Sequence, residues 1–353
     1  METVQPRQVT RARRSARVSA AAVARAAGVS TATVSYVMNG KAGVSAETRT
    51  HVLAVARELG FTPRRGEVVD PGRSRVIALV QPNIVNPTYP RFAQAIISAG
   101  AAAGYQVFIA TTQDQRPALD HITATLVNRE VDGVILSAAF REDASALRTL
   151  RAARIPYVYL SRRSLFLEGD FAGVDDATAA AELMAHVLGH GHTEVATVVG
   201  PRFSSASSVR EEAFVRTAGR HGVRISGARK ISTELDNNGG RRAAQRLFAL
   251  DTPPRAVVCG SDEMAIGVME FAVEHGLRIP EDIAVTGCDG TPHYTAGLIN
   301  LTTIVQPHEE MAAAAFGMLM RRIQHPTLPR QERILPHRLH LGRTCGCGVV
   351  AGV

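Results

Sequence analysis

Hydrophobic and polar positions change their period once along this chain of 353 residues. Between Val18 and Phe61 apolar residues recur at helical spacing in three short runs, about Ala20–Ala27, Thr31–Met38 and Ala46–Leu59, the last with Val52, Val55, Ala56 and Leu59 in a row. Ser19, Ser30 and Ser45 stand where N-caps belong, and Gly28 and Asn39-Gly40 where helices stop. From Arg75 onward short β-rich runs alternate with amphipathic ones. Strands are expected at Val76–Val80, Val107–Ala110, Gly133–Leu136, Tyr157–Leu160, Val195–Val199, Ala256–Cys259 and Ile283–Val285. Helices are expected at Phe92–Ala103, Ala118–Arg129, Ser145–Ala153, Ala177–Leu188, Val209–His221, Gly239–Leu250 and Glu263–His275. This βα repeat predicts an α/β body of parallel sheets covered on both faces, and its length favours two lobes over one sheet.

Composition narrows the class. With 45% hydrophobic and 20% charged residues, wholesale disorder is excluded. Phe92–Gln113 carries no charge, but Gln94, Gly100, Gly104 and Gln106 interrupt it well short of the ~18 apolar residues a membrane span needs. Met1–Arg17 is polar and basic and Arg25 cuts the small-residue run behind it, so no secretory signal is expected. The formal net charge is +8, and residues 1–75 hold 13 Lys and Arg against 5 Asp and Glu, while the remainder holds 27 of each. The whole excess is therefore N-terminal. A basic module on a neutral body points to a polyanion-binding head, a solvated basic tail being the alternative. Four cysteines, Cys259, Cys288, Cys345 and Cys347, without an export signal suggest the reducing cytoplasm.

The candidate chemistry lies in two places. Gly28-Val29-Ser30 has the length and the glycine of a helix-turn-helix turn. The helix after it divides by face: Val34, Val37 and Met38 inward, Thr31, Ala32, Ser35 and Tyr36 outward, as a recognition helix requires. In the body, ligands of such sheets sit beyond the carboxyl ends of the strands. Asn86-Pro87-Thr88-Tyr89, Ser161-Arg162, Ser204–Arg210, Ser261-Asp262 and Asp289 occupy those positions. Hydroxyls, a guanidinium, a carboxylate and an aromatic face suit a small neutral polyol.

At these residues a family is recognisable. Val23-Ala24, Ala27-Gly28-Val29-Ser30, Ala32-Thr33-Val34-Ser35, Val37-Met38-Asn39-Gly40, Val44–Arg49 and Leu59-Gly60-Phe61-Thr62-Pro63 resemble the DNA-binding head of the lactose repressor–galactose repressor family. In the body, Asn86-Pro87, Val131-Asp132-Gly133, Ile155-Pro156, Arg210–Phe214, Ser261–Gly267, Ile279–Gly287 and Leu301–Pro307 resemble its effector domain, the last as the crossover strand returning to the first lobe. The resemblance implies a three-helix helix-turn-helix head on a two-lobed, periplasmic-binding-protein-like, doubly wound α/β effector domain. It implies base contacts by Thr31, Ala32 and Tyr36, and phosphate contacts by Thr33, Ser35, Asn39 and Arg49. It implies effector binding by Arg210 and Asp289, with Ser161 and Ser261 where some members carry Asp and Asn, and Tyr89 where an aromatic stacks. The implied partners are pseudo-palindromic double-stranded operator DNA, a small-molecule effector of sugar type, and a second copy of the chain, with no membrane. Two departures stand out. Tyr36 replaces a frequent Arg, and Arg64–Gly72 lacks the Ala/Arg-rich hinge helix and its wedging leucine, for which Val68 or Val69 would have to substitute.

The expected division is a basic tail over 1–17, the head over 18–63, a hinge over 64–74, the effector domain over 75–343 and a tail over 344–353. Within the effector domain, lobe 1 takes about 75–172 and 304–335, and lobe 2 about 173–303 and 336–343. His186, His190 and His192 could be drawn as a metal cluster, but Gly189 and Gly191 make a helix end the better account. Cys345-Gly346-Cys347 lacks a second ligand pair and reads as a mobile tail with two thiols, so no metal and no cofactor is expected. No nucleophile elbow, P-loop or paired-carboxylate pattern appears, which argues against an enzyme. A solute-binding protein of sugar transport would share the two lobes but needs an export signal and no basic head. The expectation is therefore a transcription regulator, a repressor rather than an activator by family analogy.

Overall fold

The head and the body are each built around their own apolar cores, and the computed structural model describes residues 19–38, 43–61 and 73–347 of them. Contacts divide the chain between Gly72 and Arg73. In the head, α1 (Ala20–Ala26), α2 (Thr31–Met38) and α3 (Ala46–Glu58) form because each start carries a serine: Ser19 accepts from the Ala22 amide, Ser30 from Thr33 and Ser45 from Thr48. Gly28 leaves α1 at φ +65°, which a residue with a Cβ would resist. Val23, Val34, Val37, Val52 and Ala56 bury against one another. Leu59, expected on the apolar row, is instead the exposed cap residue that ends α3.

The body alternates as expected. Its first part runs β1 (Val76–Gln81), α4 (Thr88–Ala102), β2 (Gln106–Thr111), α5 (Arg116–Asn128), β3 (Gly133–Leu136), α6 (Ser145–Ala152), β4 (Tyr157–Leu160) and β5 (Asp170–Val174). The chain continues with α7 (Asp176–Gly189), β6 (Val195–Val199), α8 (Ser205–Arg220), β7 (Lys230–Ser232), α9 (Asn237–Phe248), β8 (Ala256–Cys259), α10 (Asp262–Glu274) and β9 (Ala284–Asp289). The short α11 (Pro292–Thr295) and β10 (Thr302–Val305) precede α12 (His308–Gln324), β11 (Glu332–Leu335) and β12 (Arg338–His340).

Two six-stranded sheets result, ordered β11-β5-β4-β3-β1-β2 and β12-β10-β9-β8-β6-β7. All neighbours are parallel except β12, which lies antiparallel on β10 as an edge. Each sheet is buried on both faces. Leu79, Phe92, Ile96, Met311 and Leu319 fill one side of the first, and Leu136, Leu147, Leu150 and Tyr159 the other. Phe214, Leu183 and Val258 fill one side of the second, and Val257, Leu247 and Val285 the other. Among the described residues no helix is long and apolar enough to cross a membrane.

The structure corrects several expectations. β5, β7, β11, β12 and the 17-residue α12 were not anticipated; β7 and β12 are three residues each, and β11 is exposed on three of its four positions. β10 belongs to the second sheet, so lobe 1 regains the chain only after residue 305, at α12, and β5 extends lobe 1 to residue 174. Residues 73 and 74, assigned to the hinge, belong to the body: Arg73 donates to the Ile323 carbonyl, and Ser74 donates to Asp132, whose carboxylate also takes the Arg75 amide. The rest of the hinge lies outside the described residues. Nor does a tail begin at 344. Thr344 is buried between β9 and β10, donating to the Val285 carbonyl at 2.6 Å and accepting from the Thr302 amide, and Cys345 is buried beside it.

Helices α9 and α10 approach so closely that a Cβ at Gly267 would lie 2.0 Å from the Asn237 carbonyl oxygen, and one at Gly240 2.1 Å from that of Met264. Backbone cannot yield as a flexible side chain does. Gly267→Ala is therefore expected to destabilise the body by about 1–3 kcal/mol, seen as a melting temperature lowered by several degrees. An unchanged transition would show that the two helices can part without cost.

Candidate DNA interface and ligand cleft

Helix α2 presents the division its sequence requires: Val34 and Val37 are buried, while Thr31, Ala32, Ser35 and Tyr36 are exposed, Tyr36 by 45%. Thr33 is half-buried, and its hydroxyl is engaged with Ser30 Oγ at 2.9 Å, so it helps to cap α2. Arg49 reaches from α3 to donate to the Val37 carbonyl at 3.3 Å, satisfying one of the last acceptors of α2. It thereby fixes the angle at which α2 is held. Asn39 lies outside the described residues. The outward face is short-chained and hydroxyl-bearing, fit for base edges and phosphates in a major groove.

In the body, Tyr89, Ser161, Arg210, Ser261 and Asp289, singled out from five separate stretches of sequence, converge on one narrow cleft between the lobes. Asn86, Thr88, Arg162, Ser204, Ser207 and Gln306 complete its polar wall. Apart from Arg210, in the second turn of α8, each stands between the carboxyl end of a strand and the first turn of the following helix, where parallel topology directs it. Ser204 and Ser261 are also the N-caps of α8 and α10. Ser161 is held at φ +66°, a conformation that costs a non-glycine residue ~1–2 kcal/mol. The lobes touch here: Asn86 Nδ2 donates to the Leu235 carbonyl at 3.2 Å and the Arg163 amide to Ser205 Oγ at 2.9 Å.

Two buried guanidinium groups organise the walls. Arg162 donates to Asp114 at 2.7 Å and to the Tyr89 hydroxyl at 2.8 Å. Arg210 donates through Nε to Asp176 at 2.7 Å and through Nη1 to the Gly260 carbonyl at 2.6 Å. Burial works against both charges, but Tyr89 and then Asp114 beside Arg162, and Asp176 beside Arg210, outweigh it and hold both guanidiniums charged. Burial pushes the Tyr89 hydroxyl up to about 12, so it stays protonated. The carboxyl of Asp289 is pushed well above its usual range, by burial first and by Asp262 second. Asp262 rises only to about 6, because the Thr303 hydroxyl at 2.5 Å and the Thr291 amide at 2.7 Å donate to its oxygens against the burial. Gln306 Nε2 donates to Asp289 at 3.0 Å. Thr88 Oγ1 is buried without a hydrogen-bond partner, an unfilled polar position in the wall.

Sequence reasoning missed several of these residues. Arg162 was placed at a strand end beside Ser161 but given no role of its own; Asp176 carried no reading, and in the structure Asp175 alone caps α7 while Asp176 turns inward to Arg210. Gln306 had no signal beyond following a predicted strand.

A helix-turn-helix head in one chain with a two-lobed ligand-binding body defines a DNA-binding regulator under small-molecule control. The comparisons agree. The profile of bacterial regulatory proteins of the lacI family matches residues 21–64, and that of the periplasmic binding protein-like domain matches residues 184–345. The HTH-type transcriptional regulator MalR of Streptomyces coelicolor is 34% identical over 334 residues, covering 91% of this chain and 95% of MalR. The ribose operon repressor of Escherichia coli K12 is 28% identical over 313 residues, covering 88% of this chain and 94% of that protein. The solved complex of the transcriptional regulator CelR with cellobiose superposes with a TM-score of 0.71 at 26% identity, covering 93% of this chain and all of that one. The chain belongs to the lacI family of transcriptional regulators.

The Arg210–Asp176 pair is nearly solvent-free, with side chains 7% and 12% exposed. Asp176→Ala would strand a buried cation, at a cost of about 3–5 kcal/mol. The expected result is a clear drop in thermal stability of the body, larger than that of Asp175→Ala, which removes only a cap. Equal losses in the two variants would mean that Arg210 does not depend on Asp176.

Proposed function

We propose that this protein is a cytoplasmic repressor that binds a pseudo-palindromic operator as a homodimer and releases or tightens it in response to a small neutral sugar. The observation that carries the reading is the convergence of all five expected effector residues on one cleft. Thr31, Ala32 and Tyr36 contact base edges in the major groove, while Ser35, Thr33, Asn39 and Arg49 contact or order phosphates. Tyr36 replaces a guanidinium and makes no bidentate guanine contact, so base preference at that position rests on a phenol and its ring. Two heads related by a two-fold axis read two half-sites.

In the cleft, Asp289 accepts from paired hydroxyls of the ligand, Arg210, Ser161 and Ser261 bond its ring oxygens and remaining hydroxyls, and Tyr89 offers a flat edge. CelR holds cellobiose and the ribose operon repressor is named for a sugar operon, which supports the class without fixing the sugar. Action by binding and not by turnover is supported by the relatives, which are transcriptional regulators. Effector closing the lobes shifts the spacing of the heads, with a coupling equal to its differential affinity for the two arrangements, typically about 1–3 kcal/mol.

Operator-binding measurements separate the roles on α2. Tyr36→Ala is expected to change affinity unequally across operator variants, and Arg49→Ala to weaken binding by a similar factor on every sequence. Uniform loss in both would remove Tyr36 from the base contacts. For the cleft, Asp289→Ala should abolish effector response while leaving operator binding intact; unchanged induction would exclude it.

The raised carboxyl of Asp289 adds a pH dependence whose sign is fixed. Ligand hydroxyls bond the ionised form, so binding expels a proton that the free cleft retains, and affinity rises with pH, by up to about tenfold per unit. Calorimetry in buffers of different ionisation heat should record proton release on binding, lost in Asp289→Asn. Proton uptake would reverse the assigned role.

A further inference from the structure

His186 and His190 lie one helical turn apart at the end of α7, and Cys345 and Cys347 flank Gly346 in the segment after β12. Each pair alone is a weak signal, but the fold of lobe 2 brings them together. His186 Nε2 lies 3.3 Å from Cys345 Sγ and 3.1 Å from Cys347 Sγ. His190 Nε2 lies 3.2 Å from Cys347 Sγ and 3.4 Å from His186 Nε2, and the two sulfurs are 3.2 Å apart. All four atoms fall within 4.8 Å of one another.

These separations are close to the edges of a metal-centred tetrahedron. Zinc bonds of about 2.3 Å to sulfur and 2.0–2.1 Å to nitrogen place ligand atoms roughly 3.3 to 3.8 Å apart. Five of the six edges lie within about 0.6 Å of those values, all but the nitrogen–nitrogen edge on the short side, and the sixth, from His190 to Cys345, is the long one within the 4.8 Å limit, so a modest rotation of the exposed His190 ring toward Cys345, with the sulfurs parting, admits the ion. Four lone-pair-bearing atoms facing one point have few protons to share: a thiol is a weak donor, and a neutral imidazole donates from only one nitrogen. A cation satisfies all four at once.

The surroundings are built for it. Gly346 at φ +96° turns the backbone so that both sulfurs face the same side. Thr302 Oγ1 accepts from the Gly342 amide at 3.0 Å and is hydrogen-bonded to Cys345 Sγ, also at 3.0 Å. A hydroxyl in contact with the sulfur holds it in place as an outer-shell partner does. Cys345 is buried, His186 and Cys347 are half-buried and His190 is exposed, so the site is anchored on one side and open to an entering ion on the other.

We infer that His186, His190, Cys345 and Cys347 form a zinc site in lobe 2, fastening the C-terminal segment to the end of α7. A set of two sulfur and two imidazole ligands selects zinc among common divalent ions, and four protein ligands close the coordination sphere, which makes the ion structural and not catalytic. This corrects the expectation of no metal, which weighed the histidines and the cysteines apart, and it excludes His192, whose ring centre is 6.5 Å from that of His190.

The test uses the full chain, reduced, stripped with a chelator, reloaded with Zn²⁺ and desalted, with metal measured by mass spectrometry. One zinc per chain should be retained, and Co²⁺ loading should give the intense visible bands and thiolate charge-transfer absorption of a tetrahedral sulfur site. The variant His190→Ala/Cys347→Ser changes the two less buried ligands, and its fold is checked by circular dichroism. It should lose zinc affinity by more than the roughly 10–100-fold that removal of an outer-shell partner costs. His192→Ala should bind as the unaltered chain does. Zinc should also raise the melting temperature of the unaltered chain and not that of the double variant. Substoichiometric zinc, retention undiminished in the double variant, a weak octahedral Co²⁺ spectrum, or a Cys345–Cys347 disulfide persisting in reductant would each overturn the assignment.

Discussion

Two almost fully buried guanidinium groups stand at the mouth of the cleft, and removing a charge of that kind from water costs several kcal/mol unless a counter-charge and hydrogen bonds meet it. Each lobe meets the demand in the same way, with one carboxylate from a neighbouring loop or helix start: Asp114 for Arg162, Asp176 for Arg210. The remaining nitrogens then fix what lies beside them. Arg162 orients Tyr89 through its hydroxyl, and Arg210 grips the Gly260 carbonyl immediately before Ser261. The wall of the cleft is thus ordered before a ligand arrives, and a ligand does not have to bear the entropy of arranging it.

Asp289 is the counterpoint. Its nearest ionisable neighbour through the Asp262 amide is another carboxyl, and the two respond differently because their donors differ. Asp262 is anchored by Thr303 and Thr291 and so tolerates charge better; Asp289, with Gln306 as its side-chain donor, is pushed further toward its protonated form. A hydroxyl-rich ligand supplies the missing donors. The chain passes between the lobes after β5, after β10 and after β11, so a ligand bonded to Asp289 in one lobe and lying against Tyr89 in the other acts across a set of three crossings. That geometry lets a few hydrogen bonds set the relative disposition of two large rigid bodies.

Much of this was legible in the sequence because topology converts local pattern into position. Once strands and helices alternate, the residues after Val80, Leu160, Val199, Cys259 and Val285 must share one edge of the body, and they do. The head was legible for a related reason: serines and glycines at its helix ends fix where each helix starts and stops, and the period of valines fixes its inner face. What was not legible depends on pairing at long range. Asp114 is 48 residues from Arg162, and Asp176 is 34 from Arg210, with nothing in their local sequence to separate them from surface acids. Of the overlooked strands, β7, β11 and β12 are short or exposed edges without alternation, while β5 is buried inside its sheet but its run is broken by Asp170 and Gly173; β10 was placed with the wrong lobe because its sequence says that it is a strand and not which sheet receives it.

Helix α7 joins the two chemical features of lobe 2. Its first turn carries Asp176, which fixes Arg210 in the cleft, and its end carries His186 and His190. Between them Leu183, Met184 and Val187 pack into the core that holds Phe214 of α8, the helix that bears Arg210. A 14-residue helix spans about 21 Å, too far for direct electrostatic influence through a screened medium but not for mechanical restraint. With a zinc ion in the proposed cluster, the end of α7 is tied to a segment that is itself pinned to β9 and β10 through Thr344. Such a tie limits tilting of α7, and with it the drift of Asp176 relative to Gly260, the two anchors of Arg210. The coupling it implies has one direction: an ion that rigidifies α7 lowers the ordering cost of the cleft and so favours ligand binding, without any ligand atom coming near the metal.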